Sequence, residues 1–276
     1  MRYPDGFTAA WIAHRALSQR GPEPELVFSG YGDKPPNVAG RDVYIVDFSY
    51  PREVMSDVIV WADKFICLDH HKTAQAALAG LPCCTFDMNE SGASLAWKYF
   101  HGDAPNHAPV PTIVQYVRDN DLYKHELPHS KEVSAWINTF PYDLKTWDDL
   151  HTRLQADPGM RKAVFAGQAL LRKNEKIVDE HRLRATSINL AGTEFRVCNA
   201  TVLFSEIGSA LSQDTGAGAV WFVKENNRVH WSLRGDGSKR VDVSEVAKNW
   251  GGGGHANAAG FVLSWEEHVR LCQNRD

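Results

Sequence analysis

The sequence predicts an α/β protein in which a parallel-sheet domain is joined by a helical linker to a smaller α/β domain. One observation behind this class is that short apolar strand segments alternate with helix-like segments, an order that favours a parallel sheet with right-handed crossovers. Another is a long, charged helical stretch after which the strand segments come in pairs. We therefore expect domains at residues 1–150 and 186–276, with the linker at 151–185.

The first half of the chain contains the elements of the predicted parallel sheet. Its strand segments at residues 43–46 and 65–68 are continuously apolar, as expected of strands covered on both faces. A helix from Pro51 to about residue 63 connects them, since proline is favoured at the first helical position. The other predicted elements, placed by apolar periodicity and by prolines, are helices at 7–17, 91–100 and 113–122 and a short strand at 26–28.

The second half starts with a charged helical stretch, from about residue 145 to residue 184, that we interpret as the bridge between the domains. A run of four glycines at residues 251–254 is the only low-complexity segment. The predicted elements after the bridge are strand pairs around 187–199 and 219–233 and helices near 205–211 and 243–250.

The composition is that of a folded globular protein, since 43% of the 276 residues are hydrophobic and 23% are charged. The longest apolar runs have the length of a strand, whereas a membrane-spanning helix needs roughly 20 apolar residues. The first residues show no signal-peptide pattern, and five cysteines without a CxxC spacing argue against a disulfide framework and a structural zinc site. We therefore expect a cytoplasmic protein with reduced thiols and no membrane partner.

Acidic and histidine residues follow both buried strands. Asp47 comes directly after the first strand, and Asp69, His70 and His71 come at the end of the second. Because ligands of an open parallel sheet bind beyond the carboxyl ends of its strands, these side chains are expected to surround one crevice. Clustered carboxylates repel each other, and a divalent cation removes that repulsion. Oxygen and imidazole ligands suit manganese, iron, cobalt or zinc better than calcium, so the pattern predicts a site for such a metal.

The glycine run at residues 251–254, which His255 follows, predicts an anion-binding loop. Each glycine costs roughly 0.5–1 kcal/mol of backbone entropy relative to alanine, so four in succession indicate that the backbone itself has a role. Closely spaced backbone N–H groups in such a loop form a concave site for phosphate oxygens. Arg234, at the end of a predicted strand, is a candidate for a charge-assisted hydrogen bond to the same anion.

Short motifs occur in order along nearly the whole chain: PDGFTAAW from Pro4, VDFSY from Val46, DHH from Asp69, SLR from Ser232, and GGGGH ending at His255 with AAGF after it. The DHH segment resembles the motif that names the DHH phosphoesterases. The last two segments resemble the signature of their associated C-terminal domain. The first two are similar to motifs of a prokaryotic branch that includes oligoribonuclease-like and exopolyphosphatase-like enzymes.

The resemblance implies an active site in the cleft between the two domains, with one or two divalent metals held by the N-terminal domain. By motif, Asp5, Asp47 and His70 would be metal ligands, and Asp47 would bridge where two ions bind. The family's fourth motif is an Asp on a later helix. The offset to the aromatic Tyr123 favours Asp119 for this position, and Asp121 remains an alternative. Mn²⁺ is the expected metal, with Mg²⁺, Co²⁺ and Zn²⁺ as alternatives.

The resemblance also implies roles in catalysis and substrate binding. Asp69 and His71 are the predicted catalytic residues, and His71 would contact the substrate or position the nucleophilic water. The C-terminal residues expected to bind the phosphate or the terminal nucleotide are Arg234, Gly252, Gly253, Gly254, His255 and Asn199.

The start of the sequence departs from the family's pattern. The first motif of the family normally begins with a strand that carries a His before the Asp matched by Asp5, and often another Asp two residues before it. Tyr3 stands at the second of these positions, and the sequence begins after the first. We therefore expect weaker binding at one of the two metal positions, and two tightly held ions per chain would contradict this expectation.

These features together predict a metal-dependent phosphoesterase that uses activated water to hydrolyse phosphodiester bonds of a short oligonucleotide or dinucleotide. The net charge of −4 favours a small anionic substrate over a long strand, whose binding needs an extended basic surface. Two alternatives stay open: a phosphoanhydride hydrolase similar to exopolyphosphatases or pyrophosphatases, and a protein that binds a phosphorylated ligand through a degenerate metal site. Self-association as a homodimer is also left open.

Overall fold

Two compact units make up the chain, Met1–Leu171 and Arg172–Asp276. The computed structural model describes residues 3–30, 32–102, 109–224, 227–238 and 240–273. Both units are α/β, with a parallel sheet in the first and a mixed sheet in the second, so the predicted fold class is confirmed. Within the described ranges, no helix has both the length and the apolar character needed to cross a bilayer.

The first unit contains a three-stranded sheet in the order β1-β2-β3. Its elements are α1 (Pro4–Ser18), β1 (Asp42–Val46), α2 (Arg52–Trp61), β2 (Lys64–Asp69), α3 (Lys72–Ala77), β3 (Cys84–Phe86), α4 (Gly92–His101), α5 (Thr112–Asp121), α6 (Ser130–Ile137), α7 (Leu144–Gln155) and α8 (Asp157–Arg184), which continues into the second unit. The parallel register pairs Val43 with Phe65 and Val46 with Leu68, which brings the carboxyl ends of β1 and β2 to one edge. The predicted strand-helix-strand order is confirmed.

Both faces of this sheet are covered, which explains why its strand segments are continuously apolar. Tyr44 and Val46 pack against a core built on α1, α4 and α5. The alternate residues Val43 and Ile45 pack with Met55 of α2. Because successive side chains point to opposite faces of a strand, a strand buried on both sides needs apolar residues at every position.

The second unit contains a six-stranded sheet in the order β4-β5-β6-β7-β9-β8. Its elements are β4 (Thr186–Leu190), β5 (Thr193–Asn199), α9 (Phe204–Thr215), β6 (Ala217–Val223), β7 (Val229–Gly235), α10 (Val243–Lys248), β8 (Gly253–His255), β9 (Ala258–Leu263) and α11 (Trp265–Gln273). On one face, Ile207 and Leu211 of α9 pack with Val220. On the other, Trp231 and Leu233 pack with α10. The predicted strand pairs and helices of this unit are confirmed.

Two local predictions are wrong. Residues 26–28 form no strand, because no described strand lies alongside them to pair with. The glycine run is not a continuous loop, because Gly253–His255 form the edge strand β8 and pair with β9. Gly254 has a φ of 146°, and a Cβ there would lie 2.5 Å from the Ala258 carbonyl oxygen. Glycine at this position therefore permits a strand pairing that is closer than a side chain allows.

Candidate metal centre

A cluster of acidic and histidine side chains lies at the carboxyl edge of the parallel sheet in the first unit. Asp47 follows β1 and His70 follows β2, whose parallel register makes them neighbours. The His70 Nε2 atom lies 3.1 Å from Asp47 Oδ1, 3.6 Å from Asp121 Oδ2 and 3.7 Å from Asp5 Oδ2. Asp5 comes from the first turn of α1, and Asp121 is the last residue of α5. Three carboxylates from separate elements thus surround one imidazole.

Asp5 is held in place by the N-terminus of α4. Its buried carboxylate accepts hydrogen bonds from the backbone N–H groups of Gly92, at 2.6 Å, and Ala93, at 3.0 Å. The first N–H groups of a helix have no partner within the helix, so a carboxylate is favoured there. This contact fixes the carboxylate of α1 beside the cluster.

Asp47 has the least satisfied carboxylate of the cluster. Its backbone lies in the left-handed region, with a φ of 56°, and its Oδ1 atom is buried without a well-aligned hydrogen-bond donor. Burial raises the pKa of Asp47 to about 7. Contact with His70 lowers the pKa, and the charges of Asp5 and Asp121 raise it. A buried carboxylate in this condition is stabilised by a cation.

Burial and neighbouring charges also shift the pKa values of His70 and Asp121. Burial lowers the pKa of His70, but the contact with Asp47 and the charges of the three carboxylates outweigh burial, and the pKa rises to about 9. Burial, followed by the charge of Asp5, raises the pKa of Asp121 to about 6. In the metal-free protein His70 therefore carries a proton near neutral pH, which a metal ion would displace.

Two overlapping groups of side chains have the atom types and the spacing of a metal site. The ligand atoms of Asp47, His70 and His71 lie within 4.8 Å of one another, as do those of Asp5, His70 and Asp121. Carboxylate oxygen and imidazole nitrogen suit first-row divalent cations such as Mn²⁺. The residues present therefore fit one or two such ions, and His70 is common to both groups.

Asp69 lies beside the cluster, but its carboxylate is engaged by the protein itself. Its Oδ1 atom accepts hydrogen bonds from the backbone N–H groups of His70 and His71 and lies 2.7 Å from His71 Nδ1. Its Oδ2 atom accepts a hydrogen bond from Ser49 Oγ. Burial raises the pKa of Asp69, but the hydrogen bonds from His71 and Ser49 outweigh burial and lower it overall. Asp69 therefore stays ionised and orients the His71 ring through Nδ1.

The structure separates the two aspartates of α5 that the sequence left as alternatives. The buried carboxylate of Asp119, the favoured residue, accepts hydrogen bonds from the backbone N–H groups of Glu126 and Leu127 at 3.0 and 3.2 Å. Burial raises the pKa of Asp119, but the hydrogen bonds it accepts outweigh burial and lower it. Residues two apart on a helix do not face the same side. Asp119 thus holds the loop after α5, and Asp121 reaches the cluster.

Gly92 limits the space beside Asp47, which the sequence did not reveal. A Cβ at Gly92 would lie 2.3 Å from Asp47 Cβ.

We expect Gly92→Ala to displace Asp47, to weaken Mn²⁺ binding at least about tenfold and to destabilise the fold by about 1–3 kcal/mol through overpacking. Calorimetric titration and thermal unfolding measure the two effects. Gly21→Ala is the matched control, since nothing lies within 4 Å of a Cβ there; equal Mn²⁺ affinity in both variants would contradict the prediction.

In the second unit, Arg234 and His255 lie in one row of the sheet. Arg234 pairs with Ala258 on β9, which pairs with His255 on β8. Paired residues project to the same face, here the face covered by α9, where Arg234 packs beside Gly208. The Arg234 guanidinium donates a hydrogen bond to Ser205 Oγ at 2.8 Å. This group, Arg234, Ala258 and His255, is called the Arg234 row below.

The other predicted substrate-binding residues differ in their position and in the space around them. Gly253 lies two residues before His255 on β8, on the same face as the Arg234 row, with open space where a Cβ would be. A Cβ on Gly252 or Gly254 would lie only 2.2 or 2.5 Å from a carbonyl oxygen of β9, so both pack against that strand. Asn199 lies elsewhere, in the row of Trp221, to whose carbonyl oxygen its amide donates a hydrogen bond at 2.8 Å. Asn199 is therefore outside the group.

Comparison with known proteins gives a family match for the C-terminal part and one curated relative. Residues 199–273 match the DHHA1 domain. The chain is 28% identical over 238 residues to the uncharacterized protein R106 of Acanthamoeba polyphaga mimivirus, a match that covers 82% of this chain and 54% of that protein. The chain thus spans about half the length of this relative.

Two solved structures have a similar fold along nearly the whole chain. The pGpG-specific phosphodiesterase PggH of Vibrio cholerae matches with a TM-score of 0.54 and 16% identity, over 96% of this chain and 94% of that one. RecJ of Thermus thermophilus, in complex with Mn²⁺, matches with a TM-score of 0.51 and 14% identity, over 98% of this chain and 49% of that one. The DHHA1 match and the shared fold bear out the predicted resemblance to the DHH phosphoesterases with a DHH-associated C-terminal domain. Members of this superfamily are metal-dependent phosphohydrolases.

Proposed function

We propose that the chain is a metal-dependent phosphodiesterase that hydrolyses short oligonucleotides or dinucleotides. The observation that carries the proposal is the cluster in which Asp5, Asp47 and Asp121 surround His70, with Asp47 Oδ1 buried and without a well-aligned hydrogen-bond donor. Three carboxylates in so small a space oppose folding unless positive charge compensates them. Mn²⁺ is the proposed ion, since the ligand types suit it.

The residues of the first unit would share two tasks. The four members of the cluster would hold the ion or ions, and His71 is close enough to join them. When bound, a divalent cation makes water more acidic and neutralises charge on a phosphate group. His71 is oriented by Asp69, and 43% of its side chain is exposed. Its proposed role is to contact the scissile phosphate or to position the attacking water.

The Arg234 row and Gly253 would bind the phosphate of the substrate. The guanidinium of Arg234 is held by Ser205 Oγ and by the Leu233 carbonyl oxygen, at 2.8 Å each. A cation that is already fixed loses little freedom when an anion binds. Because β8 is the edge strand of the sheet, its outer backbone groups lie outside the ladder and are available to phosphate oxygens.

A short substrate is supported by charge and by one structural relative. The net charge of −4 disfavours binding of a long strand, which needs an extended basic surface. The similar Vibrio cholerae protein is described as a pGpG-specific phosphodiesterase. A linear dinucleotide is therefore the first substrate to test.

Hydrolysis of pGpG in the presence of Mn²⁺, followed by chromatography of the products, tests the proposal. Turnover is expected to require Mn²⁺ and to stop when EDTA is added. His70→Ala is expected to lower turnover by about a thousandfold or more, because His70 is common to both ligand groups. His129→Asn, which changes an exposed histidine at the start of α6, is the matched control and should retain wild-type turnover.

The same assay separates the alternatives. Hydrolysis of polyphosphate with no hydrolysis of pGpG would assign the chain to the phosphoanhydride hydrolases. Binding of Mn²⁺ and pGpG with no hydrolysis of either substrate would contradict the proposal and favour a ligand-binding protein. Equal turnover by the wild type and His70→Ala would remove the cluster from the mechanism.

A further inference from the structure

A cavity in the second unit is separate from the metal centre and from the Arg234 row. Its volume is about 480 Å³, which is within the range of pockets that bind small organic molecules. Side chains from α8, β4, β5, β6, β7 and α11 line it. Those used below are His181, Arg184, Asn199, Trp221, Trp231 and His268.

The cavity lies on the opposite face of the sheet from the Arg234 row. The register places Asn199, Trp221 and Trp231 in one row across β5, β6 and β7. Trp231 belongs to the core that α10 covers, whereas Arg234 packs beside Gly208 of α9. Since side chains alternate along a strand, residues three apart on β7 project to opposite faces.

The inner wall of the cavity contains an unsatisfied hydrogen-bond donor. Trp231 is 2% exposed, and its indole Nε1–H is buried without a partner. Buried indole N–H groups usually have a partner, because an unpaired buried donor is unfavourable. The indole N–H presents no surface to the cavity, so an acceptor in the cavity reaches it only if the Trp231 ring turns.

The same wall is aromatic. The ring centroids of Trp221 and Trp231 lie 4.3 and 5.7 Å from that of His268, which is 4% exposed. Burial lowers the pKa of His268, so the ring is neutral near neutral pH and offers one donor and one acceptor. Aromatic walls with few, fixed polar groups favour a planar heteroaromatic ligand.

The rim of the cavity has a positive character. Arg184 is exposed, and its ion pair with Glu180 is long, at 3.9 Å. His181 lies nearby on the same helix, with Nδ1 2.8 Å from the Ile177 carbonyl oxygen. Among the described residues that line the cavity there is no Asp or Glu. An anionic group of a ligand is therefore favoured at the rim.

We propose that this cavity is a second ligand site, which binds a heteroaromatic ring carrying an anionic group, of about the size of a nucleoside monophosphate. The ring lies against Trp221, which is half-buried, with the exposed amide of Asn199 at its edge. The anionic group lies near Arg184. The site goes beyond the proposed hydrolysis, because none of the residues that line it belongs to the metal centre or to the Arg234 row.

Calorimetric titration of the metal-free Arg234→Ala chain tests the proposal, with AMP, adenosine and inorganic phosphate as probes. The Arg234→Ala change and the absence of metal remove anion binding at the proposed hydrolytic site. AMP is expected to bind this variant, and adenosine and phosphate are expected to bind more weakly. Adding Trp221→Leu, which removes the ring contact, or Arg184→Ala, which removes a charged hydrogen-bond donor, is expected to weaken AMP binding about tenfold. Lys173→Ala, an exposed cation of α8 outside the cavity, is the matched control.

Trp221 packs against the core, so the result for its variant is used only if that variant folds. Arg184→Ala tests the proposal at an exposed position in any case. AMP binding that is absent at millimolar concentration, or that Arg184→Ala leaves unchanged, would overturn the proposal in favour of a cavity that holds water only. Turnover of pGpG by Arg184→Ala should equal that of the wild type. The failure of this site is thus distinguishable from the failure of the proposed hydrolysis.

Discussion

Asp47→Asn is expected to abolish Mn²⁺-dependent hydrolysis and, at the same time, to make the metal-free protein more stable. Turnover should fall about a thousandfold or more, because Asp47 contributes the buried, unsatisfied oxygen beside His70. Asparagine has nearly the same shape without the charge, so the repulsion from Asp5 and Asp121 is removed. Residues that destabilise the fold when no ion is bound are typical of functional clusters.

The gain in stability should depend on pH with a defined sign. Folding raises the pKa of Asp47 from the ordinary 3.8 to about 7, mainly through burial. The folded state then binds this proton more tightly than the unfolded state. The wild type should therefore lose stability relative to Asp47→Asn as the pH rises from about 4 to about 7, and the difference should be complete above pH 7.

Urea unfolding in EDTA at pH 5 and pH 8 measures this difference. By linkage, a shift of this size corresponds to at most about 4 kcal/mol, and we expect about 1–2 kcal/mol because asparagine also loses the ionic contact of Asp47 with His70. Saturating Mn²⁺ should reverse the order, since the wild type alone gains binding energy. A metal-free wild type as stable as Asp47→Asn at pH 8 would contradict the electrostatic account.

Changes at the two aspartates of α5 are expected to act in opposite ways. Asp119→Ala should destabilise the fold by about 1–3 kcal/mol, because the backbone N–H groups of Glu126 and Leu127 lose their acceptor. It should leave the Mn²⁺ affinity of the folded protein unchanged. Asp121→Asn should lower Mn²⁺ affinity about 10–100-fold while leaving stability equal or higher, because this carboxylate lies near Asp5.

Urea unfolding and calorimetric titration of both variants test this contrast, with the exposed Asp149→Asn as the matched control. An Asp119→Ala protein that keeps its stability but loses Mn²⁺ binding would restore Asp119 as the metal ligand. The titration also gives the number of ions per chain. Weaker binding at one metal position stays a prediction, and the sharing of His70 by both ligand groups is compatible with it.

Asp47 and His70 could be predicted as neighbours because their relation follows from local order. Two buried strands joined by one helix form a parallel pair, and the residues that follow such strands meet at one edge. Asp5 was assigned by its motif alone, because nothing local shows that α4 supplies the N–H groups that hold it. The close approach of Gly92 to Asp47 was missed for the same reason.

In the second unit, the sequence predicted a phosphate-binding role for the glycine run and Arg234, and the structure shows a further reason for two of the glycines. Gly252 and Gly254 are required by close packing on β9, and only Gly253 has open space. Asn199 was grouped with Arg234 by resemblance, whereas the strand register separates them. Register is a property of the assembled sheet, since it depends on which strands pair and on where pairing starts.

By itself, the sequence determined the fold class and the order of the elements, and it predicted most residues of the candidate metal centre, because apolar periodicity and motif order are local properties of the chain. Only the tertiary structure placed Asp121 in the cluster and Asp119 outside it, revealed the contacts of Gly92 and Asp69, and placed Asn199 beside the cavity with Trp231. These outcomes depend on which buried polar atoms find partners from distant segments. A buried polar group must be paired wherever the fold provides a partner, and no sequence pattern states where that is.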